Sequence, residues 1–154
     1  TVMSEILERL LPSLAERPYR LETSAGHLLR RAQQRHQSLF AETAAGLGLT
    51  GPQFAALLRL AEAGRATQNQ LGRMAAMDSA TVQGVVRRLA LRGLVRVALD
   101  PMDRRARVLT VTPEGHALLA QGKAAGKRAN DALLAPLDPG ERAHLLSLLQ
   151  RLAG

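Results

Sequence analysis

The sequence predicts a mainly α-helical chain with one small β-hairpin, an α+β arrangement in which two short helices and a basic hairpin are flanked by helical arms. Three observations carry this. Leucine and alanine recur at three-and-four spacing through most of the 154 residues, the signature of amphipathic helices. Helix-start signals, Ser/Thr/Asp followed by Gln or Glu three residues on, stand before several of those runs. In one stretch only, 94–111, the pattern turns β-rich on either side of a polar loop.

Taken in order, residues 2–16 place Val2, Ile6, Leu10 and Leu14 four apart with Leu7 and Leu11 beside them, and Pro12 should kink or divide the segment. A long second helix is expected after Pro18, carrying Leu21, Ala25, Leu28, Leu29, Ala32, Leu39 and Phe40 and stopping near Gly46 and Gly48. Thr50-Gly-Pro-Gln53 reads as a capped start for a helix that turns Phe54, Leu57, Leu58 and Ala61 inward and ends at Gly64. Thr67-Gln-Asn-Gln70 repeats the signal for a short helix with Leu71, Met74 and Ala75 inward. After a tight turn at Ala76-Met77, Asp78 caps another helix running to Arg92, with Val82, Val85, Val86 and Leu89 inward and Gly93 as its terminator. These two make a helix-turn-helix. The runs 94–98 and 107–111 then form a hairpin around Asp100-Pro-Met-Asp-Arg-Arg105, a wing. Thr112-Pro-Glu114 opens a helix through Leu118, Leu119, Ala125 and Ala129, and Asp138-Pro-Gly-Glu141 opens a last one with Leu145, Leu146, Leu148, Leu149 and Leu152. The expected division is an N-terminal helical dimerisation arm (1–48), a winged helix-turn-helix (49–112) and a C-terminal dimerisation arm (113–154). The leucines of the two arms exceed what one small domain needs, so self-association is expected.

Composition narrows the function. There is no cysteine, which removes disulfide frameworks, thiolate metal sites and cysteine nucleophiles, and fits a cytoplasmic setting. The net charge is +8, and 19 of the 21 cations are arginine. Nine of those arginines, against Asp78, Asp100 and Asp103, fall between Arg65 and Arg107, so that stretch alone carries +6. Charge concentrated this way is a footprint for a polyanion. Only Tyr19, Phe40 and Phe54 are aromatic, which argues against stacking single-stranded bases. No apolar run approaches the roughly 20 residues of a membrane span. His27, His36, His116 and His144 are scattered without ligand spacing, and no phosphate-cradling Gly loop or nucleophile elbow is present, so no metal, cofactor or enzymatic activity is expected.

Double-stranded DNA is the partner that fits. With the valines of 79–92 inward, Ser79, Thr81, Gln83, Arg87 and Arg88 face outward; Thr81, Gln83 and Arg87 suit base edges, while Arg88 and Arg92 suit phosphates. Thr67 and Gln68 can present hydroxyl, amide and backbone N–H to a phosphate, and Arg104 and Arg105 at the hairpin tip suit a minor groove. For each arginine singly, a solvated surface charge is an equally good reading, and Asp103 could simply pair with a neighbour.

The stretch Asp78-Ser-Ala-Thr-Val-Gln-Gly-Val-Val-Arg-Arg-Leu-Ala-Leu-Arg-Gly-Leu-Val95, the wing Asp100-Pro-Met-Asp-Arg-Arg-Ala-Arg107 and the exit Leu109-Thr-Val-Thr-Pro-Glu-Gly115 resemble the MarR family of winged-helix transcriptional regulators. The resemblance covers nearly the whole chain. It implies a cytoplasmic homodimer on a pseudo-palindromic operator, usually repressing and often released by a small aromatic acid, with Asp103 and Arg104 bracing the wing and Arg105 at the minor groove. Ala80 and Gly84 stand on the groove-facing side, leaving fewer direct base contacts and more room for shape readout. The family's effector pocket lies between arms and reading head, which implies a lining of Tyr19, His27, Arg31, Phe40, Phe54 and Met74. His27 and Arg31, four apart on one helical face, could clamp a carboxylate. The segment Gly26-His-Leu-Leu-Arg-Arg31 resembles members governing aromatic-acid catabolism. The competing reading makes Arg30, Arg31 and Arg35 a solvated face and Phe40 and Phe54 plain core. Two other functions share the charge: a nonspecific architectural DNA binder, and a winged helix that binds proteins.

Overall fold

The computed structural model describes residues 1–10 and 18–154. They divide into two compact units, Thr1–Gln34 and Arg35–Gly154, each described by itself.

In the first unit, α1 spans Val2–Leu10, with Glu5 in its first turn and Arg9 in its last, signs that complement the helix dipole. Its apolar side chains Val2, Met3, Ile6 and Leu7 stand in the open. The break expected at Pro12, and Leu11 and Leu14, lie outside the described residues. The helix expected directly after Pro18 begins later. A single 3₁₀ turn, Leu21–Thr23, comes first, and α2 runs Ala25–Thr43. The reason is local: Arg20 supplies no side-chain cap, whereas extended Ser24 donates its hydroxyl to the Leu21 carbonyl and its own carbonyl accepts the Leu28 N–H, both at 3.0 Å.

The second unit takes α2 to its end and continues through α3 (Gly51–Ala63), β1 (Ala66–Thr67), α4 (Gln68–Met74), α5 (Ser79–Leu91), β2 (Val95–Leu99), β3 (Arg107–Val111), α6 (Pro113–Leu134) and α7 (Pro139–Ala153). Each expected start signal is made. Thr50 with Gln53, Thr67 with Gln70 and Asp138 with Glu141 form reciprocal capping boxes, and Asp78 and Thr112 accept from the N–H groups of Thr81 and Gly115. α5 ends in a Schellman motif: Gly93, at φ +70°, lets its own N–H reach Ala90 and that of Leu94 reach Leu89.

Leu57, Leu60, Leu71, Val82, Leu89 and Leu109 form the centre of the core. Of the α3 residues expected inward, Leu57 is central, while Phe54, Leu58 and Ala61 are half-buried at the margin; Ala56 and Leu60 take the middle places. α3 packs against α4, α5, α6 and β3, so it buries a wider stripe than a one-sided helix. The hairpin is also larger than expected. β1 adds a third antiparallel strand in the order β1-β3-β2, pairing Ala66 with Leu109 and Thr67 with Val108. β2 and β3 pair from Val95↔Val111 to Leu99↔Arg107. α7 buries none of its residues, and its Leu146, Leu148 and Leu152 are exposed. Among the described residues no helix is long and apolar enough to cross a membrane.

Candidate nucleic-acid interface

β1 and the cap on α4 tie the start of the helix-turn-helix to the wing, and α5 lies across from the hairpin. Between them runs an open cleft of about 690 Å³. Gln83 and Arg87 of α5 line one side, Asp103, Arg105 and Arg107 of the wing the other, and Thr67, Gln68 and Asn69 the head. Its floor includes Val86 and Leu109. Six residues expected at DNA therefore share one surface: Thr67, Gln68, Gln83, Arg87, Asp103 and Arg105. Ser79, Thr81, Arg88 and Arg104 are exposed outside it. Asn69 and Arg107 are additions to the expected set. Strand alternation is the signal for Arg107, since it puts that side chain on the same face as Leu109 in the cleft floor.

The polar atoms are partly committed. Thr67 Oγ1 accepts the Gln70 N–H at 3.2 Å, leaving its hydroxyl proton free to donate. Asp78 Oδ1 accepts the Thr81 N–H at 2.7 Å, and the Thr81 side chain also hydrogen-bonds this carboxylate; those bonds hold Asp78 below its ordinary value. Thr81 is thus as much cap as reader. In the wing, Asp100 Oδ1 accepts the Met102 N–H, Asp103 Oδ1 accepts the Arg105 N–H at 3.0 Å, and the Asp100 N–H reaches the Ala106 carbonyl. Asp103 shapes the loop through backbone rather than by pairing with an arginine. Among the described residues Asp100 alone of the wing acids meets a cation, Arg65 at 3.8 Å. Among the described residues no ion pair engages Arg87, Arg88, Arg104, Arg105 or Arg107, so their charge is directed outward.

Arg92 is a correction. Its guanidinium does not face outward for a phosphate; it donates to the carbonyls of Gly48 at 2.7 Å and Leu47 at 2.9 Å. Those oxygens lie in the turn between α2 and α3.

The residues expected around an effector fall in both units. In the first, Tyr19 is 82% exposed, His27 is half-buried and Arg31 is exposed on α2. In the second, Phe40 is 3% exposed with its ring centroid 5.5 Å from that of half-buried Phe54, a tilted aromatic pair within the hydrophobic interior. Met74 lines a shallow hollow with Arg65, Gln70 and Arg73. Among the described residues no three His, Asp or Glu side chains gather as a metal site.

Comparison with known proteins agrees with this geometry. Residues 47–106 match the MarR family. The HTH-type transcriptional repressor NicR of Pseudomonas putida is 37% identical over 135 residues, 88% of this chain and 85% of that protein. A probable transcriptional regulator from Pseudomonas aeruginosa superposes with a TM-score of 0.82 at 47% identity, covering 86% of this chain and 99% of its own. BpsR of Bordetella bronchiseptica, whose DNA binding is regulated by 6-hydroxynicotinic acid, superposes at 0.83 with 36% identity over 89% of this chain and 98% of its own. With these likenesses running through arms, helix-turn-helix and wing alike, the chain belongs to the MarR family of winged helix-turn-helix transcriptional regulators.

Proposed function

We propose that this regulator acts in the cytoplasm as a homodimeric repressor on a pseudo-palindromic operator, and that a small hydroxylated aromatic or heteroaromatic carboxylate releases it. The observation that carries the DNA mode is the arginine-lined cleft between α5 and the wing. An α5 in the major groove and a wing in the adjacent minor groove leave one sugar-phosphate strand to pass between them. Arg87, Arg105 and Arg107 line that path with Gln83 beside them, and Thr81 is exposed outside it on the first turn of α5; in this reading Gln83 and Thr81 meet base edges. Functionally the chain then divides as 1–48, 49–112 and 113–154, the outer parts joining two heads whose recognition helices enter major grooves roughly 10 bp apart. Exposed leucines on α7 supply an apolar surface for the partner.

Release by an aromatic acid is supported by the similarity to BpsR and by His27 and Arg31, four apart on α2. An arginine binds a carboxylate bidentately, and a ligand favouring one head spacing shifts the population away from the operator-bound form.

The test is a footprint on the promoter of the chain's own gene, repeated with a panel of hydroxylated benzoic and nicotinic acids. Protection of a two-fold site, abolished by one class of acid, is expected. A binding ratio near one between this promoter and random duplex points to the architectural reading, and no salt-sensitive binding at all points to a protein-binding winged helix. Arg105→Ala should leave the thermal midpoint unchanged and reduce the salt slope by about 0.9 for each phosphate it no longer neutralises. An unchanged slope and affinity removes the wing from the interface.

A further inference from the structure

α2 ends at Thr43, and the chain turns through 44–48 before α3. Carbonyls at such an end have no partner in their own helix. Two arginines from different elements hold this junction, one at the last residue of α2 and one in the turn beyond it. Arg128 of α6 donates to the Thr43 carbonyl at 3.1 Å, while the Thr43 hydroxyl donates to the Ala125 carbonyl at 2.9 Å. Arg92, at the C-cap of α5, takes the Gly48 and Leu47 carbonyls through its two terminal nitrogens. The guanidinium lies so close on the turn that a Cβ at Gly48 would stand 3.3 Å from Nη1, and Gly48 holds φ +67°.

α5 is otherwise fixed by Val82, Val85, Val86 and Leu89, an apolar stripe. Such burial keeps a helix seated, but the force behind it is non-directional. A bidentate, charge-assisted pair of hydrogen bonds is directional. We propose that Arg92 is a positioning residue for operator binding: it clamps the C-terminal end of the recognition helix to the turn that joins α2 to α3, sets the rotation at which that helix is presented, and does not itself touch DNA. This rests on the DNA-binding reading above.

The discriminating variant is Arg92→Lys in the full chain. A lysine keeps the charge and serves a phosphate as a point charge, but it cannot reproduce the planar fork across two carbonyls. The prediction is a folded protein whose operator affinity falls about tenfold, the size of one missing charge-assisted hydrogen bond, with affinity for random duplex and the salt slope both unchanged. Arg59→Lys, exposed on α3 beside Glu62 and outside the cleft, should bind both duplexes like the parent. If Arg92→Lys matches the parent on both duplexes, or weakens both equally with a shallower slope, Arg92 is not a positioning residue. Should Arg92→Lys fail to fold, Gly48→Ala disturbs the same clamp from the other side with Arg92 intact; the same selective loss supports the inference and parental affinity overturns it. A parent protein that binds neither duplex sinks the DNA-binding reading, and this inference with it.

Discussion

Gly115→Ala should destabilise this protein although it adds one methyl group to a helix. Gly115 is the third residue of α6, buried where that helix leaves the wing. A Cβ built there runs into the Leu94 carbonyl oxygen and lies 2.7 Å from Val111 Cγ1. Neither neighbour is free to yield. The Leu94 carbonyl accepts the Thr112 N–H at 3.1 Å, and Val111 is held opposite Val95 in the sheet. Forcing a methyl into a packed site costs roughly 1–3 kcal/mol, and pulling the Leu94 carbonyl off Thr112 adds about 1 kcal/mol. Replacing glycine in a helix returns up to about 1 kcal/mol. The net is a loss of about 1–3 kcal/mol, or roughly 2–12 °C in Tm for a chain of this size. Gly126→Ala is the matched control, since its Cβ meets Phe54 at 3.4 and 3.6 Å, ordinary contact, and it should gain about 0.5–1 kcal/mol. Thermal melts followed by circular dichroism at one protein concentration read both; equal concentration matters because self-association shifts Tm. A Gly115→Ala midpoint within about 2 °C of the parent would refute the steric argument, because it requires the Leu94 carbonyl to move at almost no cost.

Two further expectations concern charge and assembly. Asp78 is held low by the N–H and hydroxyl of Thr81, and Asp138 chiefly by the N–H of Glu141 with Arg142 assisting; both fall below the ordinary 3.8. Carboxylates lowered by folding contribute stability that is fully present above their unfolded value and fades as pH drops through the folded one. Acid unfolding should therefore steepen below about pH 4, and Asp78→Asn, which keeps a capping acceptor but cannot titrate, should flatten that limb of the curve. A pH profile identical to the parent's would show that the cap does not feed acid stability. Leu146→Asp with Leu152→Asp, on the exposed face of α7, should lower the mass seen by light scattering from dimer to monomer while helix content by circular dichroism holds. A double variant that stays dimeric places the interface elsewhere.

Much of the reading head was legible because its signals are local. Thr50, Thr67, Asp78, Thr112 and Asp138 declare their helices within three residues, and Gly93 ends α5 by a conformation its own backbone permits. What stayed hidden depends on distant partners. Ala66–Thr67 has no strand signal of its own; it is a strand only because β3 lies beside it. Arg92 sits on the outer side of α5 in any helical projection, and nothing in its neighbourhood announces two carbonyls more than forty residues earlier. Gln53 is similar: its capping role is written in the spacing, but its burial follows from how α3 packs. Around Phe40 and Phe54 the same residue types suit a ligand and a core alike, and a sequence does not separate those uses.

The pairing of Ala66 with Leu109 has a consequence for how the regulator comes into being. Both helices of the DNA-reading motif lie inside the loop that this pairing closes, and β3 is the middle strand of the sheet. Closing so long a loop is entropically costly until the strand that rewards it exists. During synthesis, a chain that has already emitted α4 and α5 still lacks the partner for β1 and half the cleft. A chain that stops short of 107–111 therefore lacks the middle strand of its sheet and the Arg107 side of the cleft, and cannot present the arginine-lined surface whole.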